Sequence, residues 1–214
     1  NDNHSRHVIT LEDPIEYLYK DSKAIVSQRE IGLDVPSFDV ALTYLMRQDP
    51  DVVLVGEMRD AKTVTAGMRA AEPGHMVFGT LHSSNASQAI HRLLDLFPQE
   101  ERELTRQALA VALRGVISQV LVPSIKKDVD RVPAVEILLA NPTVKKFISE
   151  GREGDLPGVI RASQRDGMQY LTDHLCKLIM EGTIDPKEAF KYATNTEELK
   201  MAMKGIKTST EGLM

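Results

Sequence analysis

A single cysteine, Cys176, stands in 214 residues, so an internal disulfide and a four-cysteine zinc cluster are both excluded. Its place on an apolar helical pattern suggests a buried thiol in a reducing compartment, which makes the cytosol the expected location. No run approaches the ~20 apolar residues that span a bilayer. The opening Asn1-Asp2-Asn3-His4-Ser5-Arg6-His7 lacks the apolar core of a signal peptide. Membrane contact is expected only through a partner. Basic charge is also short: 26 Lys and Arg face 31 Asp and Glu, a formal net charge of -5. Nucleic-acid binding draws on clustered Lys and Arg, so nucleic acid is not an expected partner. Internal repeats and low-complexity segments are missing as well. Finally, no Gly-x-x-x-x-Gly-Lys-[Ser/Thr] occurs, so the backbone nest and lysine that cradle a nucleotide's phosphates are not in this sequence.

What is present is an ordinary globular composition, 42% hydrophobic and 27% charged. Three short apolar runs read as buried strands: Val8 to Leu11, Val52 to Val55 and Met76 to Leu81. Phe38 to Gln48, with Ser37 as its cap, and Ala61 to Glu72, stopped by Pro73-Gly74, read as helices between them. Strands alternating with helices predict βαβ units and a parallel sheet. Ile25 to Arg29 reads as a further strand in a hairpin-like excursion before Gly32. A strand-like run opens at Val8 with no stable element before it, so the chain is expected to begin inside a domain.

Farther along, Ala86, Ile90, Leu93, Leu94 and Phe97 mark one helix face, ended by Pro98. Glu100 to Gly115 continues helical, then Val116 to Ile125 and Val132 to Leu139 read as strands around a polar turn. Beyond Asn141-Pro142 the pattern is helical, with Leu171, Leu175, Leu178 and Ile179 on one helix and Leu199, Met203 and Ile206 on another. Asp185 and Pro186 form an N-cap and first helical position. The expected division is an α/β part over 1–140, a helical subdomain over 141–206 and a frayed tail over 207–214.

Each presumed parallel strand is followed by groups able to do chemistry: Glu12, Asp13 and Glu16 after the first, Glu57 after the second, His82 after the third. Ligands of open α/β sheets bind outside the carboxyl ends of the strands, so these groups are expected to converge. Glu12-Asp13-Pro14-Ile15-Glu16 is a rigid acidic turn able to orient a water; a solvated turn is the plain alternative. Val52-Val53-Leu54-Val55-Gly56-Glu57 has the form of a Walker B segment, whose carboxylate serves Mg²⁺ through water, or is a strand that happens to end in Glu. Gly74-His75 to Thr80-Leu81-His82-Ser83-Ser84 supplies phosphate-compatible donors, against ordinary surface histidines or a zinc set of His75, His82 and Glu57.

Together, Ile9-Thr10-Leu11-Glu12-Asp13-Pro14-Ile15-Glu16-Tyr17, Arg47-Gln48-Asp49-Pro50-Asp51 to Gly56-Glu57-Met58-Arg59-Asp60, and Gly74-His75 to Leu81-His82 resemble the Asp, Walker B and His boxes of the type II/IV secretion ATPases, closest to the PilT-like twitching-motility branch. The similarity continues through Asn85 to Phe97, Val116 to Gln119 and Asp166 to Gln169. The resemblance implies a RecA-like P-loop ATPase core, truncated at its N-terminus here, with a helical C-terminal subdomain. It further implies ATP and Mg²⁺ as cofactors, a hexameric homo-oligomer, and an inner-membrane pilus platform protein as partner at the cytoplasmic face of the membrane. Carried over by position, Glu16, with Glu12, would position the attacking water, Glu57 would serve the Mg²⁺–water side, and His82 would sense the γ-phosphate. Thr80 and His75 become nucleotide-contact candidates. Arg59 and Arg47 would contact nucleotide or couple to a neighbouring subunit, with plain salt bridges as the alternative. This chain alone would be inactive without its phosphate loop.

Two departures bear on the branch. The family's retraction helix Ala-Ile-Arg-Asn-Leu-Ile-Arg-Glu is matched here by Thr143-Val144-Lys145-Lys146-Phe147-Ile148-Ser149-Glu150, which keeps the apolar pattern and final Glu only. The extension branch carries a tetracysteine zinc site that one cysteine cannot build. An accessory or type II secretion motor, and a non-catalytic scaffold subunit of a mixed ring, stay open as alternatives.

Overall fold

The computed structural model describes residues 1–72 and 74–205. The chain forms two compact units, residues 1–82 with 93–112, and residues 83–92 with 113 onward.

The first unit is built on a four-stranded, all-parallel sheet in the order β2-β1-β3-β4. Its strands are β1 (His7–Glu12), β2 (Ile25–Glu30), β3 (Val52–Val55) and β4 (Met76–Gly79). The β-branched runs form the two central strands, each paired along both of its edges. Ile9, Leu11, Val53 and Val55 are wholly buried and share a core with Ala41, Leu42 and Leu45 of α1 (Phe38–Leu45). Each of these Ile, Leu and Val side chains contributes ~1.5–3 kcal/mol by leaving water. Helix α2 (Ala61–Ala71) packs on α1, and α4 (Arg102–Ala112) on α2. Asp60 caps α2 by accepting from Thr63 N at 2.9 Å.

Some local expectations are corrected. Ile25–Glu30 is no hairpin arm but a parallel neighbour of β1, with Thr10 opposite Gln28. Ser37 precedes α1 without capping it, since its hydroxyl donates to the Asp39 carboxylate at 2.5 Å, which holds that carboxyl below its usual range. Helix α1 tightens into a 3₁₀ turn over Met46–Gln48, and β4 stops at Gly79 rather than Leu81. Pro73, expected to stop α2, lies outside the described residues, as do Ile206 and the 207–214 tail.

The second unit centres on an antiparallel hairpin, β5 (Gly115–Pro123) and β6 (Arg131–Leu139), around the expected polar turn. Its remaining elements are α5 (Pro142–Ser149), α6 (Leu156–Ala162), α7 (Leu171–Met180), α8 (Pro186–Tyr192) and α9 (Thr196–Met203). The division expected after residue 140 groups the hairpin with the parallel sheet. In the structure Val122 and Ala134 share a core with Leu171, Leu175, Leu178, Ile184, Ala189 and Leu199 of the helical part. Cys176 is buried there, and burial pushes its thiol pKa up. Asp185 caps α8 through Lys187 N at 2.7 Å, as its place before Pro186 predicts.

Charged groups are also held within this unit. Arg161 pairs with Glu198 and lies 4.1 Å from the centroid of the Tyr170 ring. Glu136, only 3% exposed on β6, accepts the backbone N–H of Ala86 at 2.9 Å and also that of Leu171. Those residues open α3 (Ala86–Asp95) and α7, so one carboxylate satisfies donors at two helix N-termini. No helix of the described residues is long and apolar enough to cross a membrane.

Candidate functional site

Parallel pairing aligns the carboxyl ends of the strands. Leu11, Val55 and Gly79 face one another across β1, β3 and β4, so Glu12, Gly56 and Thr80 follow along one sheet edge. Backbone bonds hold these exits together: Gly56 N donates to Leu11 O at 2.7 Å, and Met58 N donates to Thr80 O at 3.0 Å. The Thr80 hydroxyl donates to Gly56 O. Glycine is needed at position 56, because a β-carbon there would fall 2.9 Å from Leu11 O. At Gly79, the Met58 thioether fills the space that a β-carbon would take. Small residues thus let the Walker-like exit lie close between its neighbours.

Side chains converge just beyond this edge. Glu57, 23% exposed, meets Arg59 Nη2 through Oε2 at 2.6 Å and His82 Nε2 through Oε1 at 3.5 Å. Arg59 Nη1 also lies 3.6 Å from Asp13 Oδ2. The Glu57 carboxylate raises the Arg59 pKa further, so this guanidinium stays charged. One group from each of the three strand exits, with Arg59, forms a single polar cluster, as their positions after the strands predict.

Other candidates stand apart from it. Glu12 shares the β1 face of Thr10, two residues back, and accepts from its hydroxyl at 2.6 Å and from Gln28 Nε2 at 2.9 Å. Asp13, not Glu12, therefore reaches Arg59. Glu16 is exposed on the loop after the cis Asp13–Pro14 bond, outside the contacts that join Asp13, Glu57, Arg59 and His82. His75 precedes β4 and its Nδ1 sits 3.1 Å from Ala70 O. Four residues of β4, ~13 Å at ~3.3 Å each, separate the ends on which His75 and His82 stand. The zinc set of His75, His82 and Glu57 is not assembled, and the described residues hold no cluster of three or more His, Cys, Asp or Glu suited to a metal. Arg47 is exposed in the turn that precedes β3, also at the amino end of the sheet.

Asp13 and Gln28 are the residues that the sequence reading undervalues. The signal for Asp13 is its place one residue past the strand, out of step with Thr10 and Glu12. Nothing local marks Gln28, whose importance arises from its register opposite Thr10.

Comparison with known proteins identifies the family and the fold. The family model "Type II/IV secretion system protein" matches residues 1–210. The chain is 40% identical over 199 residues to a twitching motility protein of Neisseria gonorrhoeae, covering 93% of this chain and 53% of that protein. It is also 40% identical over 193 residues to the type IV pilus retraction ATPase PilT of Pseudomonas aeruginosa, covering 90% and 56%. Its fold superposes on the pilus retraction motor PilT with bound ADP at a TM-score of 0.81 and 44% identity, covering 93% and 56%. The corresponding values for the Legionella pneumophila ATPase DotB are 0.76 and 30%, covering 96% and 53%. The chain thus spans about half the length of the relatives it matches. Its α/β architecture, with a RecA-like core, is the one these ATPases share. With matched residues across nearly its whole length, the chain belongs to the type II/IV secretion system protein family.

Proposed function

We propose that this chain carries the catalytic-carboxylate and γ-phosphate-sensing part of an ATP-hydrolysing motor subunit for type IV pilus retraction. The observation that carries the reading is the convergence of Asp13, Glu57, Arg59 and His82 at the carboxyl edge of a parallel sheet. Relatives whose names specify twitching motility and pilus retraction give the motor its biological setting. The phosphate-binding loop, which this sequence lacks, is supplied by the longer protein. The motor works as a hexamer at the cytoplasmic face of the inner membrane, against a platform protein of the pilus.

Glu57 and Asp13 suit magnesium by donor chemistry, since Mg²⁺ keeps several waters and takes only one or two carboxylates. When bound, that ion would neutralise charge on the β- and γ-phosphates. The chain's own residues do the rest. Glu57 orients the water's surroundings, Glu16 from the acidic loop aligns or deprotonates the attacking water, and His82 donates toward the γ-phosphate. Water attacks phosphorus in line, the bond to the β-phosphate oxygen breaks, and ADP and phosphate leave. Arg59 is positioned to exchange its carboxylate partners for phosphate oxygens as the site fills.

The test is phosphate release by the full-length protein with and without Mg²⁺. Magnesium-dependent hydrolysis of ATP is expected. An assembled ring that carries a phosphate loop, binds ATP and releases no phosphate would leave the scaffold alternative standing instead.

A further inference from the structure

The loop that bears Glu16 has no helix or strand of its own between Asp13 and Ala24, and Tyr17, Leu18 and Tyr19 on it are exposed by 75%, 85% and 56%. Something must fix it if Glu16 is to act on a water within a few tenths of an ångström. Three of its backbone groups are each met by a side chain of β2. Ile15 N–H donates to Glu30 Oε2 at 3.2 Å. Tyr17 C=O accepts from Gln28 Nε2 at 2.8 Å, and Tyr19 N–H donates to Gln28 Oε1 at 2.7 Å.

Gln28 makes one more bond. Its Nε2 also donates to Glu12 Oε1 at 2.9 Å, so both amide hydrogens and the carbonyl oxygen of one side chain are in use. The carboxamide therefore ties the end of β1, at Glu12, to the loop one and three residues beyond Glu16. Glu30, two residues farther on the same strand, holds the residue just before Glu16. β1 is in turn paired to β3, whose exit carries Glu57. A continuous run of bonds links the Glu57 strand to the backbone on both sides of Glu16.

We propose that Gln28 is a positioning residue for the hydrolytic reaction, holding the acidic loop so that Glu16 faces the attacking water. This rests on the role given to Glu16 above. Its side chain touches no reacting atom, and it acts through the Glu12 carboxylate and the Tyr17 and Tyr19 backbone. Glu30 holds the loop at Ile15 and Asn1 holds it at Lys20 and Ser22, so Gln28 fixes the stretch beside Glu16 between them, and misplacement by about 1 Å at a reacting centre costs about a hundredfold in rate.

The experiment uses the full-length protein with Gln28→Leu, Gln28→Glu and Glu16→Gln variants. Gln28→Glu keeps the shape but removes both N–H donors. Both Gln28 variants are expected to lose about ten- to a hundredfold in kcat, the range for groups that orient a reacting residue, with KM for ATP and Tm unchanged. Chymotrypsin should also cut faster after Tyr17, Leu18 and Tyr19 in the same variants. Wild-type kcat in Gln28→Leu beside an inactive Glu16→Gln overturns the role of Gln28 alone. Wild-type kcat in Glu16→Gln removes Glu16 from the reaction and the proposal with it. A parallel rise in KM and fall in Tm would mark Gln28 as merely structural and equally overturn it.

Discussion

Full-length protein carrying Glu57→Gln is expected to lose about 10²- to 10⁴-fold in ATP turnover while it still folds and binds nucleotide, the range for removing one positioned proton-transfer or water-orienting group. Glutamine keeps the size of the side chain and one acceptor oxygen, and the site is open enough that no buried charge is stranded. Arg59 loses its shortest ion pair, but it is half exposed, and exposed pairs contribute only ~0–1 kcal/mol. Steady-state phosphate release together with a thermal melt separates the two effects. A rate within threefold of wild type would take Glu57 out of the chemistry. A melt lowered by many degrees would instead assign it a structural task.

Glu136→Ala is expected to have the largest effect on stability. Two helix N-termini would lose the acceptor that serves their first N–H groups inside a dry core, at ~1–3 kcal/mol for each orphaned donor. A loss of about 3 kcal/mol corresponds to a fall in Tm of roughly 6–12 °C for a chain of this size. A melt within 1 °C of wild type would show that neither helix depends on this carboxylate. Glu136→Gln, which keeps an acceptor oxygen, should lose far less.

The same pair gives a pH test with a definite sign. Burial raises the Glu136 pKa above its ordinary 4.5, and the Ala86 and Leu171 N–H groups and Arg161 only partly restore it. For an acid whose folded pKa is raised, folding favours the neutral form. The stabilising share of Glu136 is thus fully present below 4.5 and is lost as pH rises through the folded value. Urea midpoints should move in favour of Glu136→Gln, relative to wild type, between pH 4 and pH 8.

Much of this fold was legible because the central strands are short β-branched runs closed by Gly or charge. Val52 to Val55 can scarcely be anything else once helical lengths flank it. The exits of β1, β3 and β4 were legible for the same reason, since parallel strands must place their carboxyl ends together. β2 reads as a strand, but its parallel place beside β1 is hidden because Ser27, Gln28, Arg29 and Glu30 look like an excursion before Gly32. Their polarity suits the sheet's edge and the loop they hold.

What stayed hidden was set by register and packing. One step along β1 decides that Glu12 returns to Thr10 and Gln28 while Asp13 reaches Arg59, and no motif encodes that step. His75 and Arg47 sit inside recognisable boxes, yet the direction of the strands puts them at the amino ends, away from the cluster. The hairpin strands carry apolar faces that would fit either neighbour. Only the shared core of Val122 and Ala134 with Leu171 and Leu175 shows which one they take.

A structure of the full-length protein with Mg²⁺ and a non-hydrolysable ATP analogue is the most direct measurement. The γ-phosphate should lie within hydrogen-bond reach of His82, about 3 Å, with the Glu57 carboxylate facing the metal's water shell and Glu16 facing the in-line water. A triphosphate bound at the amino ends of the strands, beside His75 and Arg47, would contradict the assignment of this edge as the catalytic one.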